Sequence, residues 1–149
     1  MNPWLVYCDG SAMPNPGRIG LGAVLTAPDG TRHTLSQATH EHGCNNEAEL
    51  RALMAALQAL KSHGAQALRL HCDNSVVVTQ LAQLADAKAR PIARLASLFE
   101  EARVLLASFE QAELVWIPRH RNGEADALAR AALGMGEKRV AKVSKKRRG

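Results

Sequence analysis

Four carboxylates in this chain stand at positions from which they could hold metal ions together. Asp9 and Asp73 each follow a short apolar run, LVYC and LRLHC, that predicts a β-strand, and Glu49 and Asp126 fall in the first turns of two predicted helices. A carboxylate at the end of a buried strand is costly unless a cation or hydrogen bonds compensate it. Four converging carboxylates suit Mg2+, and two such ions can stabilise both the attacking and the leaving oxygen of a phosphodiester displacement.

Each carboxylate also has an ordinary structural interpretation. Glu49 stands three residues after Asn46, which is the spacing of a helix capping box. Asp126 could complement a helix dipole, and Asp9-Gly10 and Asp73-Asn74 could be turns. Four separate coincidences of this kind are improbable, so the set as a whole favours metal binding.

The elements that must position these side chains are five strands and four helices, predicted along the chain in the order βββαβααβα. Strands are predicted over residues 4–8, 21–27, 31–38, 67–72 and 113–117; helices are predicted from Asn46 to His63, over 75–84, over 92–109, and from an Asn122 cap to about Leu133. The Pro- and Gly-containing residues 11–20 predict a loop.

The spacing of these elements predicts how the strands pair. Three strands joined by short turns favour an antiparallel meander, whereas strands that follow helices favour parallel pairing through right-handed crossovers. The predicted fold class is therefore α/β, a mixed five-stranded sheet with helices on its faces. Asp9 and Asp73 would lie at the carboxyl ends of neighbouring parallel strands, where open α/β sheets carry their sites.

Composition restricts the class of protein. With 149 residues, one domain with a sizeable core is expected. No apolar stretch approaches the ~20 residues of a membrane span, and the N-terminus lacks the features of a secretory signal, so a cytoplasmic location is expected. The odd number of cysteines, 3, without CxxC spacing argues against a zinc ribbon and a disulfide framework; buried reduced thiols are expected instead.

Positive charge is concentrated at the C-terminus. Residues 138–149 hold seven of the 19 Lys and Arg residues and no acid, so residues 1–137 carry 12 basic against 14 acidic residues, a net charge of −2. We predict a domain over residues 1–135 and a disordered basic tail over residues 136–149. Such a tail could bind nucleic acid electrostatically; the alternative is a solvated end that aids solubility.

The segments that carry the carboxylates resemble type 1 ribonuclease H, from about residue 4 to residue 133. They are YCDGSAMPNPGRIGLGAVL, CNNEAELRAL, LHCDNSVVV and WIPRHRNGEADALARAAL. The resemblance implies a ribonuclease H-like fold and an endonuclease that cleaves the RNA strand of RNA–DNA hybrids, leaving 5′-phosphate and 3′-hydroxyl ends. It also implies two Mg2+ ions, with Mn2+ as a substitute, one held by Glu49 and Asp73, the other by Asp126, and both by Asp9.

Asparagines are the expected contacts to the hybrid. The resemblance implies that Asn15, Asn45 and Asn46 bind substrate, and a neutral amide suits a ribose 2′-hydroxyl or a base edge. The alternative is structural, because Asn15 opens a turn-like Asn-Pro-Gly and Asn46 could cap a helix. The expected partner is a hybrid nucleic acid and not a membrane, and the chain is expected to be a monomer.

Two departures from the family pattern affect these expectations. Many members carry a basic, Trp-rich insertion that grips the DNA strand; here that stretch holds only Lys88, Arg90 and Arg94, so the tail could compensate. The family's mobile histidine has one counterpart in His120, which could equally be an ordinary surface residue.

Two other functions remain open from the sequence. One is another nuclease of the same fold, such as a junction resolvase or an integrase, against which the Asn-Pro-Gly and Asn-Asn motifs argue. The other is a hybrid- or RNA-binding module without cleavage, against which the four intact carboxylates argue.

Overall fold

The computed structural model describes residues 2–83 and 93–135, and in these ranges it contains a sheet of five strands flanked by helices. The strands are β1 (Trp4–Met13), β2 (Gly17–Thr26), β3 (Arg32–Gly43), β4 (Ala67–Cys72) and β5 (Gln111–Trp116); the helices are α1 (Asn45–Ser62), α2 (Ser75–Gln83), α3 (Ala96–Ala107) and α4 (Gly123–Ala132). Short 3-10 helices, Ala93–Leu95 and Arg119–Arg121, precede α3 and α4. The predicted order βββαβααβα is confirmed.

The sheet is mixed, with the strand order β3-β2-β1-β4-β5. β1 pairs antiparallel with β2, and β2 with β3, whereas β1 pairs parallel with β4, and β4 with β5. This topology confirms the predicted meander followed by parallel strands. β4 is central to the parallel half, so its carboxyl end opens at the same edge as the middle of β1.

The prediction of a loop over residues 11–20 is wrong, because β1 continues to Met13 and β2 already begins at Gly17. Asp9 is therefore inside a strand and not at its end. Gly20, one of the two glycines that suggested a loop, instead allows a helix to pack closely, because a Cβ there would lie 2.6 Å from the carbonyl oxygen of Ala129 in α4. Gly22, two residues further along β2, does the same. A Cβ on Gly22 would lie 2.3 Å from the carbonyl oxygen of Ala125 in α4, so only glycine lets α4 approach β2 this closely.

Two helices cover opposite faces of the sheet. α1 packs on β1 with its fully buried leucines, Leu50, Leu53, Leu57 and Leu60, and this i, i+3, i+4 spacing is what indicates a helix in the sequence. Helix α1 ends at Ser62, and Gly64, two residues later, has a φ of 76°, the left-handed conformation expected of a glycine that follows a helix. Successive residues of β1 face α1 and α4 in alternation.

Parts of the sequence prediction fall outside the described residues. They include the basic tail over residues 136–149, as well as Lys88 and Arg90, and the domain boundary at residue 135 stays a prediction. The predicted third helix over 92–109 is observed as the 3-10 turn followed by α3.

Among the described residues, no helix is both long and apolar enough to cross a membrane.

Candidate active site

Three of the four predicted carboxylates converge at the end of β4. Asp9, Glu49 and Asp73 each offer an oxygen, and these oxygens all lie within 4.8 Å of one another. Asp9 and Glu49 are only 5% and 6% exposed, whereas Asp73 is half-buried. The fourth, Asp126, is not part of this group but lines the same cleft.

Strand register explains why Asp9 and Asp73 meet. Cys8 of β1 is level with Cys72 of β4 in the parallel pairing, and neighbouring strands lie about 4.8 Å apart. β4 ends at Cys72, so the next residue of each strand, Asp9 and Asp73, lies at the edge where the pairing stops. Cys8 and Cys72 are both buried, which confirms that they are small core residues, whereas Cys44 is half-buried.

Glu49 enters the site from α1, the helix that packs on β1. The residue that caps this helix is Cys44, so Glu49 is the fifth helical residue and not the third. The capping-box interpretation of Glu49 is therefore wrong. Its Oε2 lies 3.9 Å from the thiol of Cys72, which places the carboxylate over the end of β4.

Burial and mutual repulsion favour protonation of the two most enclosed carboxyls. Burial, opposed by a hydrogen bond from Glu49 and reinforced by the charges of Asp73 and Asp126, raises the pKa of Asp9 to about 7. Burial, followed by the hydrogen bond and charge of Asp9, raises the pKa of Glu49 well above its usual range. A bound cation would remove this penalty, because it stabilises the ionised carboxylates.

Two side chains from distant parts of the chain hold Asp73. The indole Nε1 of Trp116 donates to the backbone oxygen of Asp73 at 3.3 Å. The amide Nδ2 of Asn122 donates to the Asp73 carboxylate at 2.8 Å. Asn122 directly precedes α4, but its side chain makes no capping bond to that helix, so the predicted side-chain cap is wrong.

An open cleft of about 590 Å3 surrounds the carboxylates. Besides the acidic groups it is lined by small polar side chains and by two arginines: Asp9, Gly10, Ser11, Asn45, Glu49, Asp73, Asn74, Ser75, Arg119, Asp126 and Arg130. Sequence reasoning missed Arg119 and Arg130. The signal was available for Arg130, since it follows Asp126 by four residues on α4 and therefore shares its face of the helix.

The three predicted substrate asparagines lie close together beside this cleft. The side-chain oxygen of Asn15 accepts from the backbone N–H of Asn45 at 3.1 Å, and Asn46 accepts from the amide of Asn74 at 2.8 Å. Asn45 lines the cleft. Asn74, which sequence reasoning treated only as a turn residue, also caps α2 by accepting from the N–H of Val77 at 3.0 Å.

The remaining candidates lie at the periphery. His120 is exposed in the 3-10 helix before α4 and is not among the residues that line the cleft. Arg94 lies at the N-terminal end of α1, with Nη2 3.1 Å from the sulfur of Cys44 and Nη1 3.6 Å from Oε1 of Glu47. Arg94 therefore lies near Asn45 and Asn46, two of the predicted substrate-binding asparagines.

Residues 7–132 match the model of the family described as reverse transcriptase-like. "Ribonuclease HI" of Halobacterium salinarum is 35% identical over 127 residues, which cover 85% of this chain and 62% of that protein. "Bifunctional protein Rv2228c" of Mycobacterium tuberculosis is 32% identical over 130 residues, which cover 87% of this chain but 35% of that protein. The chain thus spans less than two thirds of the length of either relative.

Solved structures agree with this family match. The crystal structure of RNase H1 from Halobacterium salinarum has a TM-score of 0.79 at 33% identity, with 89% of this chain and 98% of that chain covered. The structure of LC11-RNase H1 in complex with RNA/DNA hybrid has a TM-score of 0.74 at 28% identity, with 88% and 96% covered. The sheet and its acidic cleft are those of a ribonuclease H-like domain. More particularly, the chain belongs to the ribonuclease H family.

Proposed function

We propose that this protein hydrolyses the RNA strand of RNA–DNA hybrids. The observation that carries the proposal is the convergence of Asp9, Glu49 and Asp73 to within 4.8 Å, in a cleft that also holds Asp126. Family membership supports it, and so does the LC11-RNase H1 structure with a hybrid. Water would attack the phosphorus in line, and the bond to the 3′ oxygen would break, giving a 5′-phosphate and a 3′-hydroxyl.

The donor set of the cleft fits divalent cations that prefer oxygen. Asp9, Glu49 and Asp73 would hold one Mg2+, and Asp9 and Asp126 a second, with Mn2+ as a substitute. When bound, the ions supply the positive charge that activates the attacking water and stabilises the leaving oxygen. Because burial raises the pKa of Asp9 to about 7, cation binding should release protons near neutral pH.

The other residues of the cleft would bind and orient the substrate. Arg119 and Arg130 are the cations among the lining residues, and guanidinium groups suit phosphate oxygens. Asn15, Asn45 and Asn46 are neutral, so they would recognise the 2′-hydroxyl and the shape of the minor groove more than charge. The carboxylates alone would repel a nucleic acid, so these groups provide the attraction that brings a phosphodiester to them.

We propose that the protein is a monomer located in the cytoplasm. Cys8, Cys44 and Cys72 are all free thiols, which supports a reducing compartment and hence the cytoplasm. The chain would act as a monomer, since the four carboxylates come from one chain.

The expected substrate selectivity is strict. With Mg2+ present, the protein should cleave the RNA of a hybrid of about 20 base pairs and leave duplex DNA of the same sequence intact, because DNA offers no 2′-hydroxyl to the asparagines. Gel analysis of end-labelled hybrid, duplex RNA and duplex DNA measures this, and an excess of chelator should stop all cleavage. The labelled products should carry 5′-phosphates.

Each rival function gives a different result in that assay. Equal cleavage of hybrid and duplex DNA would indicate a nuclease of the resolvase or integrase type. Tight binding of the hybrid without cleavage at any Mg2+ or Mn2+ concentration would indicate a binding module. Cleavage that survives the chelator would contradict a role for the carboxylates as metal ligands.

The basic tail should contribute affinity but not chemistry. Deleting residues 138–149 removes seven positive charges, so KM for the hybrid should rise at moderate salt. The dependence of log affinity on log salt should flatten by several units at most, at roughly −0.9 per lost phosphate contact. Replacing the seven Lys and Arg by Gln, at unchanged length, should have the same effect, and kcat should stay within about twofold in both variants.

Unchanged KM and unchanged salt dependence in both tail variants would show that the tail is not a substrate-binding element. The affinity would then have to come from the body, and the first residue to test would be Arg94, which lies beside the N-terminus of α1.

A further inference from the structure

The side chain of Asn122 is almost completely buried, 1% exposed, at the point where three parts of the site meet. Its Nδ2 donates at 2.8 Å to the backbone oxygen of Cys8, the residue before Asp9 in β1. The same nitrogen donates at 2.8 Å to Oδ2 of Asp73. Its own backbone oxygen accepts from the N–H of Asp126 at 3.1 Å. Asn122 thus connects the segments that carry three of the four carboxylates.

Partner chemistry fixes the orientation of this amide. Both partners of the side chain are acceptors, a carbonyl oxygen and a carboxylate oxygen, so the group that faces them must be the NH2 and not the oxygen. The opposite side of the amide, Oδ1, is buried and has no hydrogen-bond partner among the described residues. An unpaired buried acceptor is unfavourable. The amide therefore keeps its two donated hydrogen bonds although its Oδ1 accepts none among the described residues.

We infer that Asn122 is a positioning residue that sets the orientation of the Asp73 carboxylate for metal binding. The inference rests on the proposed function, since it concerns the same ions. The hydrogen bond to Oδ2 restricts rotation of the Asp73 carboxylate. The hydrogen bond to Cys8 fixes the amide relative to the backbone of β1, the strand that carries Asp9. The Asp73 carboxylate and the backbone of Cys8, next to Asp9, are thereby bonded to one amide group. Partners of this kind behind a metal ligand commonly alter metal affinity 10–100-fold.

Asn122→Asp and Asn122→Ala separate this role from a general contribution to folding. The aspartate has the same size but presents an oxygen to two acceptors, and the alanine leaves both acceptors without a donor. We expect both variants to bind Mg2+ and Mn2+ 10–100-fold more weakly than the unmodified protein. Titration of the metal alone, followed by calorimetry or by the metal-induced rise in Tm, measures this without substrate.

Kinetics provide a second measurement. At a fixed moderate metal concentration, kcat should fall 10–100-fold in both variants while KM for the hybrid changes by less than about threefold. Raising Mn2+ should restore much of kcat, because the defect lies in occupancy and not in substrate binding. A purely structural residue would not give metal-dependent rescue.

Phe99→Leu is the matched control for lost stability, since Phe99 is fully buried in α3 and away from the cleft. It should lower Tm without changing metal affinity. Wild-type metal affinity in either folded Asn122 variant would overturn the inference, and so would an equal loss in Phe99→Leu. If Asn122→Asp does not fold, Asn122→Ala decides. Failure of the unmodified protein to bind either metal would instead contradict the proposed function.

Discussion

Asp9→Asn is expected to abolish hydrolysis of the hybrid, with a loss in kcat on the order of 10³-fold or more, while the fold remains intact. Asp9 is the carboxylate common to both proposed ions, and its oxygen lies within 4.8 Å of those of Glu49 and Asp73. An amide of the same shape removes the charge that holds the cations. Single-turnover cleavage of a labelled hybrid at saturating Mg2+ measures the loss.

The same substitution should stabilise the protein when metal is absent. The pKa of Asp9 is raised from 3.8 to about 7 by burial, so folding favours the protonated carboxyl. The contribution of protonated Asp9 to the free energy of unfolding is therefore fully present below about pH 4. It is lost as the pH rises towards 7, where the folded protein must bury an ionised carboxylate. Asparagine does not ionise, so in chelator at pH 8 the variant should be more stable, on the order of 1–3 kcal/mol, and at pH 4 the two proteins should be alike.

Glu101→Gln is the charge-matched control, because Glu101 is an exposed carboxylate on α3 outside the cleft. It should change neither kcat nor the pH dependence of Tm. Near-native turnover by Asp9→Asn would remove Asp9 from the site. A Tm that falls with pH equally in Asp9→Asn and in the unmodified protein would show that another group causes the pH dependence.

The sequence predicted the sheet and its carboxylates because both depend on local patterns. Apolar runs with polar ends predict strands, and the register of β1 and β4 then brings Asp9 and Asp73 together without further information. The helical spacing of apolar residues likewise predicted α1, whose leucines at that spacing are buried. The strand boundaries were less well predicted, since residues 11–20 contain turn-forming residues, and one of their two glycines, Gly20, is explained only by the helix packed against it.

Features that depend on distant partners could not be predicted in this way. Asn122 has the sequence context of a helix cap, but its amide donates to Cys8, 114 residues earlier in the chain. Asn74 was expected to be a turn residue, but it caps α2. Asn46 was the expected cap of α1, but that helix is capped by Cys44. In each case a short polar side chain has several local options, and tertiary contacts select among them.

Gly10 is expected to be the position least tolerant of a single added methyl group. A Cβ on Gly10 would lie 2.0 Å from the carbonyl oxygen of Ala48 and 2.7 Å from the backbone nitrogen of Glu49. These are backbone atoms, so no side-chain rotation can relieve the overlap. Gly10 follows Asp9, and Ala48 precedes Glu49, so this close approach of β1 and α1 is what brings the two carboxylates together.

Gly10→Ala should therefore damage both the fold and the metal site. Moving α1 away from β1 should cost on the order of 3 kcal/mol of unfolding free energy and should separate Glu49 from Asp9. Even in the fraction that remains folded at low temperature, kcat should fall about 100-fold, since a displacement of 1 Å at a reacting centre commonly has that effect. Urea unfolding and Mn2+ titration measure the two losses separately.

Gly123→Ala is the control for the extra methyl group, because a Cβ at Gly123 has no heavy atom within 4 Å. Alanine at the start of α4 should leave activity unchanged and hold or raise stability by up to about 1 kcal/mol. If Gly10→Ala lowered stability but kept full metal affinity, α1 would have to move without carrying Glu49 away from Asp9. That result would mean that the carboxylate group is held by side-chain contacts such as those of Cys72 and Asn122, and not by the approach of the two backbones.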